Sequence, residues 1–195
     1  MRGVEQIPWL YDAGMSVQDR FGMRRWRKRL VDAAHGRVLE VGCGTGRNLP
    51  MYPPGIALVG LDPSHEALAA ARRRAPSVPL VAGSAESLPF GDGSFDTIVS
   101  SLVFCSVPHP DAGLAELRRV LTPGGTLAMM EHVRSSTRWI GRTQDAIQPL
   151  WTCVLGGCHP NRDTEAAVER AGFAIDPATR MAKGVMRLFL ARKRE

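Results

Sequence analysis

The chain has 195 residues, 44% of them apolar and 23% charged, and a net charge of +6; these are ordinary globular values, and the length suits one domain with its own core while leaving little room for a second. No apolar run approaches the ~18 residues of a membrane span, and the N-terminus passes from Trp9-Leu10-Tyr11 to Asp12 and a series of arginines, which does not fit a signal peptide. Four cysteines without a Cys-x-x-Cys pair point to reduced thiols and away from a metal site, so the expectation is a cytoplasmic protein without a bound metal.

Residues 1–37 hold eight Lys or Arg against four Asp or Glu, concentrated in Arg24-Arg25-Trp26-Arg27-Lys28-Arg29. Trp26, Leu30 and Val31 recur there at helical spacing, so an amphipathic helix is expected, docked by its apolar side with a solvated basic face. Peripheral contact with a membrane surface through this helix is a further reading of the charge, and nucleic-acid binding the less favoured one. Strand-like and helical stretches then alternate. Strands are expected at 37–41, 56–61, 79–82, 95–100 and 126–131, and helices at 66–74 and 111–121, with Pro123-Gly124-Gly125 as a tight turn before the fifth strand. A further helix covers 163–171, capped by Asp163 or Thr164 and stopped by Gly172. Residues 173–175 and 185–191 read as a closing pair of strands. Such alternation implies βαβ units, that is, an α/β fold with a parallel sheet and helices on both faces.

The first strand runs into Glu40-Val41-Gly42-Cys43-Gly44-Thr45-Gly46, three glycines spaced two apart. Such a turn lets a ligand approach the backbone closely. A dinucleotide fingerprint would read Gly-x-Gly-x-x-Gly, and a P-loop would need Gly-Lys-Ser/Thr where Arg47 and Asn48 follow, so phosphate binding is not supported. Asp62 closes the second strand 16 residues after Gly46, where a carboxylate can accept from both hydroxyls of a ribose. Its other role would be to cap the next helix, for which Ser64 is an equal candidate.

These residues resemble the first motif of the class I S-adenosylmethionine-dependent methyltransferases, Glu/Asp-x-Gly-x-Gly-x-Gly, at every defined position. The resemblance runs over roughly residues 38–132. Residues 83–90 look like the adenine-side loop, 95–102 like the fourth strand, and 116–127 like the next helix, turn and strand. It implies a single Rossmann-like doubly wound sheet, mostly parallel with an antiparallel C-terminal strand. The whole of 1–195 would be one domain: an N-terminal lid (1–37), a cofactor core (38–132), a substrate-cap segment (133–162), and the last helix with the closing strands (163–195). It also implies S-adenosylmethionine as cofactor. Glu40 would hold its methionine amino group, Gly42, Gly44 and Gly46 would pass beneath it, and Asp62 would take the ribose. Tyr11, Cys43, Asn48, Pro63, Ser84, Ala85, Glu86 and Ser101 complete the cofactor set. Ser84 departs from the pattern, since relatives often carry an Asp there for the adenine amino group.

Cys105-Ser106-Val107-Pro108-His109-Pro110 stands where methyltransferases of amides and bases carry Asn/Asp-Pro-Pro-Tyr/Phe, which counts against such acceptors. Leu102 to Val107, Met130-Glu131-His132-Val133, Gln148-Pro149-Leu150-Trp151, Gly157-Cys158 and Arg162 look like the microsomal alkyl-thiol methyltransferases. Those carry an N-terminal membrane anchor that is not evident here. Quinone and phospholipid methyltransferases share the core more loosely. The expectation is therefore methyl transfer to a small apolar acceptor, a thiol first, with quinone, phenol, phospholipid or nucleic-acid methylation as alternatives. His132, at the end of the fifth strand, is the candidate general base, and a packing histidine is its other reading. Gln148, Trp151, Cys158 and Arg162 would shape the substrate pocket.

Overall fold

The computed structural model describes residues 7–154 and 157–194. Alternation along each central strand sorts side chains between two layers. On β1 (Arg37–Val41) Val38 packs in one layer and Leu39 and Val41 in the other. The same division separates Ile98 from Val99 on β4 (Phe95–Ser101), and Leu127 and Met129 from Ala128 and Met130 on β5 (Leu121–His132). Each layer is covered by helices. Leu114 and Leu117 of α4 (Pro110–Val120) and Val168 of α6 (Thr164–Arg170) cover the first. Leu30 of α2 (Arg24–Asp32) and Leu68 and Ala71 of α3 (His65–Arg74) cover the second. A sheet whose central strands are buried on both faces and covered by helices on each is the doubly wound architecture the alternation implies.

The strand order is β3-β2-β1-β4-β5-β8-β6, with β2 spanning Ala57–Asp62 and β3 Leu80–Ala82. β1 to β5 pair in parallel, while β8 (Met186–Lys193) is antiparallel to β5 and to β6 (Phe173–Ile175). The chain runs outward from β1 to β3 and then returns to β4 on the other side of β1. The crevice of such a sheet lies beyond the carboxyl ends of β1 and β4.

Four features differ from expectation. The Pro123-Gly124-Gly125 turn lies inside β5, as an irregularity between the Phe95↔Leu121 and Thr97↔Thr126 pairs. A short strand, β7 (Met181–Lys183), pairs with β8 across Gly184. The N-terminal region is a helical run, α1 (Pro8–Gln18), a π-helical turn Asp19–Met23 and α2. Finally, a helix of 17 residues, α5 (Arg138–Val154), fills much of the expected cap segment. No helix among the described residues is long and apolar enough to cross a membrane.

Candidate active site

At the carboxyl end of β1 the backbone turns sharply enough for Asp62, at the tip of β2, to meet it. Asp62 Oδ2 accepts from Gly44 N at 2.8 Å and Oδ1 from Ser64 N at 2.9 Å. Burial pushes the Asp62 carboxyl up, against the pull of these two N–H donors. Ser64, not Asp62, caps α3, its hydroxyl accepting from Ala67 N. Asp62 is thereby left to brace the turn and to offer its remaining lone pairs outward. Gly44 has φ +53° and no atom within 4 Å of where a Cβ would stand, so the backbone itself forms the floor of a cavity of about 640 Å3. Gly46 serves another purpose. Its φ is +77° and a Cβ there would lie 3.0 Å from Ala71 Cα, so it lets α3 close on the turn and is not part of the cavity wall.

One end of the cavity is charged. Glu40 is buried, with Oε1 accepting from Asn48 Nδ2 at 2.8 Å; Asn48 Oδ1 in turn accepts from Arg27 Nη1 at 2.9 Å. Arg27 comes from the basic run of α2, yet it is 3% exposed and also donates to Ser101 Oγ and Asp19 Oδ1. Arg27 Nη2 is buried there without a partner, and Glu40 Oε2 has only the buried Tyr52 hydroxyl beside it. Burial pushes the Glu40 carboxyl up to about 7, opposed by Tyr52, Asn48 and Arg27. A buried carboxylate with lone pairs to spare and a buried unpartnered guanidinium donor, both from residues on the wall, fit an amino-acid group bearing one ammonium and one carboxylate. With a carboxylate at Asp62 that has lone pairs to offer a ribose, and the open backbone at Gly44, the residues fit S-adenosylmethionine.

The opposite wall is the connection from β4 to α4. Leu102 lies there at φ +61°, the one non-glycine residue at positive φ among those described. Strain of this kind persists only where surrounding contacts enforce it, and here they do. Leu102 N donates to Met130 O, while Glu131 Oε1 accepts from Val103 N at 3.0 Å, Phe104 N at 3.1 Å and Ser100 Oγ at 3.2 Å. Arg162 Nη1 donates to the Phe104 and Val107 carbonyls from behind. At the far end, Glu86 accepts from Ser84 Oγ and from His109 N, so the serine that departs from the motif stands beside a carboxylate.

Glu40, Gly42, Cys43, Gly44, Asn48, Asp62, Pro63, Ser84, Ala85, Glu86 and Ser101 all line the cavity. Gly46 does not, for the packing reason above. Tyr11 falls on α1, but its side chain lies outside the described residues. His132 is also away from the wall. Successive strand residues face opposite sides, and while Glu131 serves the β4–α4 connection, His132 falls on the side of Ala128 and Met130, which pack toward α2. Burial lowers its pKa. Gln148, Trp151, Cys158 and Arg162 are likewise outside the wall. Gln148 donates to Thr152 Oγ1, Thr152 to the Cys158 carbonyl, and a hydrogen bond with Cys158, together with burial, pushes the Cys105 thiol far up. Gln148, Cys158 and Arg162 thus support the wall from outside and do not form it, while Trp151 is exposed. Nor is the basic sequence wholly solvated: besides Arg27, Arg74 donates to Thr45 O and Asp12 Oδ2, and Arg47 to Asp12 and Asp19, which holds α1 over the turn.

Arg27, Leu102 and Glu131 were missed by sequence reasoning. Leu102 and Glu131 left a trace only inside the stretches that resemble the alkyl-thiol methyltransferases, without a role of their own, and Arg27 left none.

Residues 39–129 match the family described as a methyltransferase domain. The thiol S-methyltransferase TMT1A of Homo sapiens is 37% identical over 145 residues, 70% of this chain and 59% of that protein. A phosphatidylethanolamine N-methyltransferase of Cereibacter sphaeroides is 32% identical over 86% of this chain and 84% of its own length. A solved SAM-dependent methyltransferase of Thermotoga maritima superposes with a TM-score of 0.67 at 25% identity, covering 86% of this chain and 88% of that one. The chain spans about three fifths of the length of the thiol methyltransferases it matches.

Proposed function

We propose that this chain, which belongs to the S-adenosylmethionine-dependent methyltransferases, moves the methyl group onto a small, largely apolar acceptor, a thiol first. The observation that carries methyl transfer is the placing of the Glu40 carboxyl and the unpartnered Arg27 Nη2 together at one end of a cavity that Gly44 and Asp62 continue. The thiol preference is supported by the human relatives named for that acceptor.

Bound S-adenosylmethionine supplies a methyl already activated by its sulfonium. The work left to this chain is to hold the two partners in line and exclude water. Arg27 and Glu40 would clamp the carboxylate and ammonium of the amino-acid group, Asp62 would accept from the ribose hydroxyls, and Ser84 with Glu86 would meet the adenine. The strained turn at Leu102 would close the side on which the acceptor approaches. A thiol of pKa ~8.5 is about 3% thiolate at pH 7, a cost of roughly 2 kcal/mol. With His132 away from the wall, turnover is expected to rise with pH toward the thiol's own pKa.

A methyl-transfer screen over thiols, quinols, phenols and phosphatidylethanolamine tests this reading. Turnover of an alkyl thiol is the expected result. Cofactor binding without turnover of any of these acceptors would sink it. Phosphatidylethanolamine is the second reading, favoured because the relative named for that lipid aligns over most of its length.

Glu40 makes cofactor affinity depend on pH. Its folded carboxyl titrates at about 7, and only the ionised form attracts the ammonium. Binding of S-adenosylhomocysteine, followed by calorimetry, is expected to tighten about ten-fold from pH 6 to pH 8. Glu40→Gln is expected to bind weakly and to lose that slope. An equally steep slope in the variant would place the titrating group elsewhere.

A further inference from the structure

Helix α5 is turned inside out. Its inward side is polar: Gln144 is buried, its Oε1 accepting from Ser135 N at 2.7 Å and its Nε2 donating to the Pro160 carbonyl at 2.8 Å and the Val133 carbonyl at 3.2 Å. Gly141 lets the helix approach the Ser135 backbone, and Gln148 and Thr152 continue the same side. The outward side is apolar. Trp139 is 71% exposed, Leu150 72%, and Ile147 and Trp151 40% each. Trp139, Ala146, Ile147 and Leu150 recur at helical spacing, so they form one stripe along the helix. Arg138 and Arg142 flank the stripe, exposed and without an ion pair among the described residues. Asp145, the helix's one carboxylate, is taken up by Arg134 at 2.8 Å.

A second helix stands at the same end of the sheet. On α1, Asp12 and Ser16 hydrogen-bond Arg47, and Trp9 and Val17 are 72% and 54% exposed. Asp12 meets the turn after β1 through Thr45, and α5 meets the chain just after β5 through Val133. The apolar face of α5, with the exposed Trp9 and Val17, therefore belongs to the carboxyl end of the sheet, where the cavity opens.

We propose that the outward face of α5 docks on the surface of an anionic lipid bilayer. Its large side chains sink to the boundary of headgroups and acyl chains, where the amphipathic rings of Trp139 and Trp151 are at home, and Arg138 and Arg142 meet lipid phosphates. A second copy of the chain fits less well. The four exposed side chains present on the order of 450 Å2, about half of what each partner in a stable protein interface buries. The stripe is also bordered by like charges, Arg138 and Arg142, which a self-complementary contact would bring together. The proposal does not depend on which acceptor is methylated.

The full chain is sedimented with vesicles of phosphatidylcholine, and with the same lipid containing phosphatidylglycerol. It is expected to partition onto the mixed vesicles, with a blue shift of tryptophan emission. Trp139→Ser/Leu150→Ser is expected to lower the partition coefficient about ten-fold or more, and Arg138→Ser/Arg142→Ser to remove the preference for phosphatidylglycerol. Both variants change exposed side chains, and unaltered calorimetric binding of S-adenosylhomocysteine confirms that they are folded; Leu150→Ser alone serves if the double change is not tolerated. The proposal falls if the native chain stays in the supernatant with both vesicles. It falls equally if the apolar variants bind as the native chain does, or if the native chain is a dimer that the apolar variants dissociate.

Discussion

Asp62→Ala is expected to weaken S-adenosylhomocysteine binding by about two to four orders of magnitude. Two charge-assisted hydrogen bonds to a ribose would be lost, each worth about 1.5–3 kcal/mol, and a factor of ten costs about 1.4 kcal/mol. The substitution also withdraws the acceptor of Gly44 N, which keeps the turn in its open shape. The fold itself is expected to survive, because Ser64 and not Asp62 caps α3. Asp62→Asn, which keeps one acceptor oxygen and loses the charge, is expected to fall between. Calorimetric titration measures all three, and an Asp62→Ala affinity within about three-fold of native would remove Asp62 from the site.

The second large effect is on stability. Glu131 is fully buried, and its Oε1 alone holds Ser100, Val103 and Phe104. Glu131→Ala leaves those donors unpartnered beside a backbone already strained at Leu102, at a cost of about 3 kcal/mol. Chemical denaturation reads this cost directly, and cofactor binding is expected to fall with it because the same turn walls the cavity. A stability loss below about 1 kcal/mol would show that the clasp is not what holds the turn. Glu131→Gln preserves an acceptor and separates geometry from charge. Burial raises the Glu131 carboxyl from the ordinary 4.5 to about 7. The protonated side chain therefore contributes stability that is present below pH 4.5 and is lost as pH climbs through 7. Glu131→Gln is expected to lack that part of the decline. Glu40, raised to the same value by burial, keeps its own share.

Much of this was legible in the chain because it depends on local requirements. Glycines at positive φ, a carboxylate closing each of two strands, and apolar runs alternating with helical stretches each concern a few consecutive residues. They suffice to place the glycine turn, Glu40, Asp62 and the order of the elements. The closing strands were legible for the same reason, although β7 was too short to stand out.

What packs against what decided the rest. Arg27 sits among four other basic residues with nothing in the sequence to separate it from them; its burial comes from the rotation of α2 on the sheet, which aims one side chain at Asn48 and leaves Arg24, Arg25 and Arg29 in solvent. His132 and Glu131 are neighbours in the chain, yet the two-residue period of a strand sends them to opposite faces. Helix α5 did not stand out because its apolar residues face away from the core and Gly141 and Pro149 interrupt it. The sequence determined that a nucleotide-like cofactor is cradled after β1, since backbone shape at a glycine turn is written in the residues that form it. Tertiary structure decided which arginine reaches the cavity, which carboxylate holds the opposite wall, and which helix shows its apolar side to the outside, since each depends on groups far apart in the chain.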